Sequence, residues 1–434
     1  MAAETKNATT YPNAQTIRRE RLANGLTLLV YERFASPSLV IDGLVRAGAL
    51  GETRRTAGLA YFTAVSLLRG TANYSFAQIY TALESVGASL SFSGAYHTTT
   101  FSAQGLVEDV DLLLELLAEA LRQPLFPEAA VEKVRGQLLT SLAMRENEPE
   151  QMAGLAFDEL IYGDHPYGRS DLGYVDSLSR LTAADLRQFH RRYYGPQGMI
   201  LAVVGGMKAE EIVKKVTAVL GDWRNPQQEK LPDAPDAPRP DGLKRVHVPM
   251  PDKQQSSICL GLPGPRRSAP DYLDASLMNT ILGVFGMMGR IGRKVREEKN
   301  LAYDAYSVLQ GGLGPAPWYA AAGVAPQNVA PAIAAILEEI DRIQNELVPA
   351  AELADNQAYR TGSLPMSLET NSGLAGVILD MELYGLGLDY LLEYPALIRE
   401  ITPERIRAAA QKYLSTEQLG IAVAGPLLDD KVAR

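Results

Sequence analysis

Apolar positions along the chain recur with two spacings, about two residues and about 3.6, and the switches between them mark out the elements. Asn24-Gly25, a pair suited to a tight hairpin turn, precedes the apolar run 26–31, which reads as a strand. Ser75 and Gln78 have the spacing of a capping box and open an amphipathic helix running to Val86. Over 88–103, Leu90, Phe92 and Gly94 alternate with serines before Thr98, Thr99, Thr100 and Phe101, which predicts extended chain. Helical spacing follows over 110–121, 127–145 and 150–162. Strands separated by paired helices predict an α+β sandwich, with helices on one face of a largely antiparallel sheet.

The same plan is predicted twice. Leu181-Thr182-Ala183-Ala184-Asp185-Leu186-Arg187, then Arg192-Tyr193, then the apolar run from Leu201 to Gly205 have counterparts in the second half. These are Ile401-Thr402-Pro403-Glu404-Arg405-Ile406-Arg407, then Lys412-Tyr413, then Ala422 to Gly425, in step at an offset of 220. Thr182 and Thr402 suit helix N-caps, Pro403 suits the first helical turn, and Asp185 and Glu404 suit its positive end. Between the halves lies LPDAPDAPRPDG, whose four prolines remove backbone donors and stiffen the chain. We therefore expect an N-terminal domain over 1–230, a surface linker over 231–243 and a C-terminal domain over 244–434.

Composition narrows the function. The 434 residues carry 42 Lys+Arg against 51 Asp+Glu, a net charge of −9 that disfavours nucleic-acid binding. One cysteine excludes an internal disulfide and any Cys-rich metal site. The first 17 residues are polar, without the apolar core of a secretory signal, and no apolar run reaches membrane-spanning length. The default expectation is a cytoplasmic protein, with the periplasm as the alternative if a signal peptide precedes this numbering.

The stretch Gly58-Leu59-Ala60-Tyr61-Phe62-Thr63-Ala64-Val65-Ser66-Leu67-Leu68-Arg69-Gly70-Thr71 resembles the zinc helix of the pitrilysin-type peptidases, which include the mitochondrial processing peptidases. Active members carry H-x-x-E-H there: two histidines ligate zinc and the glutamate activates its water. Here Tyr61 and Val65 stand at the histidine positions and Ala64 at the base. Alignment on Glu146-Asn147-Glu148-Pro149 puts the third ligand, a glutamate in the family, at Thr140 or Ser141. The frame survives without the ligands, so no metal is expected on this chain. His97, His165, His190 and His247 have no ligand-like spacing and read as surface or structural residues, with His165 in a turn resembling the family's H-P-x-G. Cys259 reads as a small buried hydrophobe.

The second half keeps what the first lacks. A glycine-rich run with Gly286, Gly289 and Gly292 leads into Arg296-Glu297-Glu298-Lys299-Asn300-Leu301-Ala302-Tyr303, which resembles the family's R-E-K-x-L-x-Y element. The run lacks the G-K-[ST] of a phosphate loop and the Rossmann fingerprint, and reads instead as a loop touching an extended polypeptide. Asn300 is expected to end a helix, and Tyr303 to begin a strand. In active relatives this arginine and tyrosine reach the zinc site, hold the substrate backbone and stabilise the oxyanion. A guanidinium and a phenol hydroxyl are suitable donors for that task.

The resemblance implies a two-domain clamshell half, each domain an α/β sandwich. It also implies a non-zinc-binding subunit of a heterodimeric peptidase acting on unfolded or extended peptides. A paralogue with H-x-x-E-H would supply zinc, ligands and base, and this chain Arg296 and Tyr303. The alternatives are a catalytically silent scaffold or assembly subunit, and a homodimeric peptide-binding protein.

Overall fold

The computed structural model describes residues 11–426; the first ten residues of the polar N-terminal stretch lie outside the described residues. Six strands form the first sheet: β1 (Ile17–Arg21), β2 (Thr27–Glu32), β3 (Ser38–Val45), β4 (Ser89–Gly94), β5 (Thr99–Leu106) and β6 (Ile200–Gly205), in the order β1-β2-β6-β3-β5-β4. Five form the second: β7 (Lys244–Pro249), β8 (Ser256–Pro263), β9 (Ala302–Leu309), β10 (Pro317–Val324) and β11 (Gly420–Gly425), in the order β7-β11-β8-β10-β9. With β1 set aside, the two orders are the same. In each, the last strand in sequence pairs parallel with the first, β6 with β2 and β11 with β7, and the other pairings are antiparallel. The α+β sandwich used twice is thus the architecture, with one parallel pair in each sheet.

Local signals act as their chemistry requires. Gly25 adopts φ +96° in the turn between β1 and β2. Ser75 and Gln78 close a reciprocal capping box on helix Phe76–Ser85. The Thr182 and Thr402 hydroxyls accept from the backbone N–H of Asp185 and Arg405 at 3.3 and 3.4 Å. The extended stretch 88–103 is a hairpin, because Ala95 to Thr98 turn the chain without glycine, proline or asparagine to announce it.

The second face of each sheet is covered by a helix from the other half. Helix Pro149–Tyr162 carries Ala153, Phe157 and Ile161 into a core shared with Cys259, Ala422 and Ala424 of the second sheet. Ile161 comes so close to β11 that a Cβ on Gly420 would lie 2.4 Å from its Cγ2, so glycine is required there. In return, helix Asn371–Leu383 packs Leu374, Ala375, Ile378 and Met381 onto Leu29, Val40, Leu44, Ala202 and Val204 of the first sheet. The exchange is bolted by Arg19, bidentate to Glu382 at 2.9 and 2.7 Å, and by Asn371 Nδ2 donating to Ser38 O at 3.0 Å. The proline-rich segment between the sheets has no regular structure but is pinned. Leu231 and Ala234 are buried, and Arg266 donates to Ala234 O and Asp236 Oδ1, both at 2.8 Å.

Candidate functional site

Helix Leu59–Ser66 begins after Gly58, which needs glycine for its φ of +91° and because a Cβ there would lie 2.9 Å from Gly173 Cα. Its first amides are held by buried Glu52, whose Oε2 accepts from Gly58 N at 2.8 Å and Oε1 from Ala60 N at 2.6 Å. Burial pushes the Glu52 carboxyl up to about 8, while these amides pull it back. The helix lies against the end of β4, where a Cβ on Gly94 would stand 2.7 Å from Tyr61 Cα.

This is the helix that resembles the family's zinc helix, and its side chains do not fit zinc. Tyr61 and Val65 are half-buried and Ala64 is buried. Thr140 and Ser141 are exposed on helix Glu128–Glu146, and each hydroxyl donates back into its own helix, to Gly136 O at 2.9 Å and Gln137 O at 3.1 Å. Two aliphatic groups, one phenol and two helix-bonded hydroxyls offer no set of N, S or carboxylate ligands. Among the described residues no group of three or more His, Cys, Asp or Glu is placed to hold a metal ion.

Three of the four histidines have partners away from this helix. His97 and His165 both meet Tyr167: His97 Nε2 lies 2.5 Å from its hydroxyl, and His165 Nδ1 accepts from its backbone N–H at 3.1 Å. His190 Nε2 lies 2.9 Å from Leu121 O, and the Nε2 of His247 is buried without a partner. Burial pushes His97 and His190 down to about 4, so both are neutral near pH 7. Cys259 is buried, which raises its thiol.

The second candidate region follows helix Tyr272–Gly283. Four consecutive residues, Gly286, Met287, Met288 and Gly289, take positive φ, an arrangement unfavourable for the two methionines. Gly289 and Gly292 are packed tightly: a Cβ would lie 2.6 Å from Ile281 O at the first and 2.3 Å from Met287 O at the second. Gly286 has open space around it. A wide, π-type turn over Arg293–Glu298 presents Arg296, and Asn300 at φ +52° ends it. The Arg296 guanidinium carbon lies 5.4 Å from the Tyr303 ring centre, and Arg296 Nη1 lies 3.7 Å from Met287 Sδ.

Tyr303 is aimed by a bulge. Ala302 pairs with Val324 and Ala305 with Ala322, so Tyr303 and Asp304 together oppose Gly323. Bulges bend a strand and re-aim its side chains; Ala305 is fully buried, whereas Tyr303 is 83% exposed. The strand behind is fixed by Asn279, whose Oδ1 accepts from Ser307 Oγ at 2.7 Å and Trp318 Nε1 at 2.8 Å. Sequence reading missed Asn279 and Glu52, because a lone polar residue in an apolar or loop segment carries no spacing signal.

Within the chain the two regions belong to different sheets. Helix Leu59–Ser66 sits beside β4 and Arg296/Tyr303 beside β9, and these strands are the corresponding edges of the two matching sheets. Tyr61 and Val65 share no hydrogen bond or ring contact with Arg296 or Tyr303.

This duplicated fold, two matching sheets each covered by a helix of the other half, is that of a peptidase-like two-domain chain. Residues 32–173 match the family described as insulinase (peptidase family M16), and residues 180–359 the one described as peptidase M16 inactive domain. The chain belongs to the M16 peptidase family. It is 28% identical over 427 residues to an uncharacterized zinc protease of Streptomyces coelicolor, covering 96% of this chain and 92% of that one. It is 24% identical to the mitochondrial-processing peptidase subunit beta of Saccharomyces cerevisiae, covering 82% and 80%. A crystal structure of a peptidase M16 inactive domain from Pseudomonas fluorescens superposes with a TM-score of 0.87 at 26% identity, covering 95% of this chain and 98% of that one. A protease from Helicobacter pylori shares the fold, with a TM-score of 0.88 at 20% identity over 94% and 99% of the two chains. No helix among the described residues is long and apolar enough to cross a membrane.

Proposed function

We propose that this chain is the non-zinc-binding subunit of a heterodimeric zinc peptidase, acting on extended or unfolded peptides. Zinc, its ligands and the general base belong to a paralogous subunit with H-x-x-E-H. This chain contributes Arg296 and Tyr303 as donors to the substrate backbone and to the oxyanion that develops at the scissile carbonyl. The supporting observation is the contrast between the two sheet edges. At β4, Tyr61, Ala64 and Val65 leave nothing to bind a metal, whereas at β9 the guanidinium of Arg296, on the turn before the strand, stands beside the exposed phenol of Tyr303 in its bulge. Preorganised donors facing a developing negative charge stabilise a transition state without reorganising during the reaction. Gly286, Gly289 and Gly292 shape the loop behind Arg296, and the exposed Met287 offers an apolar contact to a passing chain.

The test is co-purification with the H-x-x-E-H paralogue, followed by cleavage of an unstructured peptide with and without chelator. Cleavage only by the mixture, abolished by chelator, is expected. Cleavage by this chain alone, or a mixture no faster than the paralogue alone, contradicts the reading. The latter result is what a scaffold or peptide-binding subunit would give.

A further inference from the structure

A cleft of about 440 Å³ opens between the two halves, walled by the turn after β4, helix Pro149–Tyr162 and the loop joining β9 to β10. Two carboxylates face it, Asp158 and Asp171, and neither has an ion pair. No hydrogen-bond donor reaches Asp158, which is half-buried and opens onto the cleft. Asp171 is met only by the amides of its own residue and Leu172. The rings of Tyr96, Tyr162, Tyr167 and Tyr384 complete the walls. Three of their hydroxyls are already committed, to Arg169 O at 2.7 Å, Pro315 O at 2.6 Å and His97 Nε2 at 2.5 Å, so they do not neutralise the acids.

No lysine or arginine lines the cleft among the described residues. Four arginines around it donate to other groups, Arg145 to Ser170 Oγ and Gly173 O, Arg169 to Asp164 O, Arg266 to Leu313 O and Asp236, and Arg267 to the Tyr390 hydroxyl, while Arg46 stands on the His97 side and helps to lower that imidazole. Half-buried carboxylates without an ion pair favour a positive group, and aromatic walls favour a weakly hydrated organic cation. Two carboxylates with committed hydroxyls fall short of the six to eight oxygens that calcium takes. The volume lies within the roughly 300–1,000 Å³ of small-molecule sites.

We propose that this cleft binds the guanidinium or alkylammonium group of an organic cation, with Asp158 and Asp171 pairing its charge and the tyrosine rings packing on its stem. The site is independent of the pairing with a paralogue. In the empty cleft, burial and the neighbouring charges of Asp171 and Glu159 push Asp158 up to about 7. The other titratable groups facing Asp158 are neutral near that pH: His97, pushed down to about 4, the surrounding tyrosines, and the buried Cys259 thiol. Arg145 stands behind Asp171 and stays charged. An entering cation therefore displaces a proton, and binding strengthens as pH rises through about 7.

Calorimetric titration of the full chain at pH 8 tests this with agmatine, N-acetylarginine amide, the neutral N-acetylcitrulline amide, and magnesium or calcium chloride. Saturable binding of agmatine, of N-acetylarginine amide, or of both supports the site. Agmatine alone points to a free cation; binding of the capped arginine as well points to a basic peptide side chain. The citrulline compound is expected not to bind. Asp158→Asn, with Asp171→Asn as a second variant, each shown folded by circular dichroism, should weaken binding at least about tenfold. Binding should also weaken at pH 6. No saturable binding by either cation overturns the proposal. So does equal binding of the citrulline compound, preference for a metal ion, or unchanged affinity in both folded variants.

Discussion

The Arg296 guanidinium carbon lies 5.4 Å from the centre of the Tyr303 ring, across the start of β9 at the free edge of the second sheet. Both groups are held from behind. Arg296 rides on a wide helical turn, and Tyr303 sits in a bulge opposite Gly323. The ring does not bury itself against the sheet and stands exposed to solvent. Under the duplication, β9 takes the place that β4 holds beside helix Leu59–Ser66. Corresponding edges of the two matching sheets thus present different side chains.

The glycine-rich segment should divide into tight and open positions. Gly289→Ala drives a Cβ against the backbone at Ile281 and Gly283, and should destabilise by about 1–3 kcal/mol as overpacking does. Gly286→Ala meets no neighbour and carries only the cost of its positive φ, of order 1 kcal/mol. Urea midpoints of the two variants should rank in that order.

Each half should stabilise the other. Ile378→Ala removes a side chain of the second half from the face of the first sheet, and should cost about 2–5 kcal/mol. Hydrogen exchange should then speed up in β3 and β6 of the first sheet, and not only around residue 378. Phe157→Ala should do the converse for β8 and β11.

How much of this was visible in the sequence depended on whether the signal was local. The caps at Ser75, Thr182 and Thr402 and the turn at Gly25 are set by neighbours within a few residues, and they were readable. The duplication was readable because it repeats in step. The exchange of helices 149–162 and 371–383 between halves was not, because an apolar stripe does not say which sheet will cover it. The bulge at Tyr303 depends on β10 and was equally hidden. Asp158 stands beside Phe157 on an amphipathic helix, and only the folded chain brings it near Asp171 and four tyrosines.

Buried Glu52 should leave a mark on the pH dependence of stability. Its folded value is raised from 4.5 to about 8, so between those pH values the fold binds a proton that the unfolded chain has lost. Stability from this group is therefore full below about pH 4.5 and declines as pH rises towards 8, by up to about 1.4 kcal/mol per pH unit. Glu52→Gln keeps a neutral group there, so its stability relative to the wild type should improve steadily from pH 5 to pH 8. Urea melts at several pH values check this; a constant difference contradicts it.

The chain alone should not take up zinc. After incubation with zinc sulfate and desalting, elemental analysis should find well under one equivalent, and a chelator should leave its melting temperature unchanged. Single restorations such as Tyr61→His should not change this, because Val65 and Thr140 or Ser141 still supply no further ligand.

The most direct measurement of the central claim is turnover of an unstructured peptide by the reconstituted mixture with the H-x-x-E-H paralogue, comparing wild type with Arg296→Ala and Tyr303→Phe. Zinc content and complex formation are followed in the same samples. Loss of one oxyanion donor should lower kcat by about 100-fold or more while zinc and assembly stay intact. Unchanged turnover with both variants assembled would contradict the roles assigned to Arg296 and Tyr303.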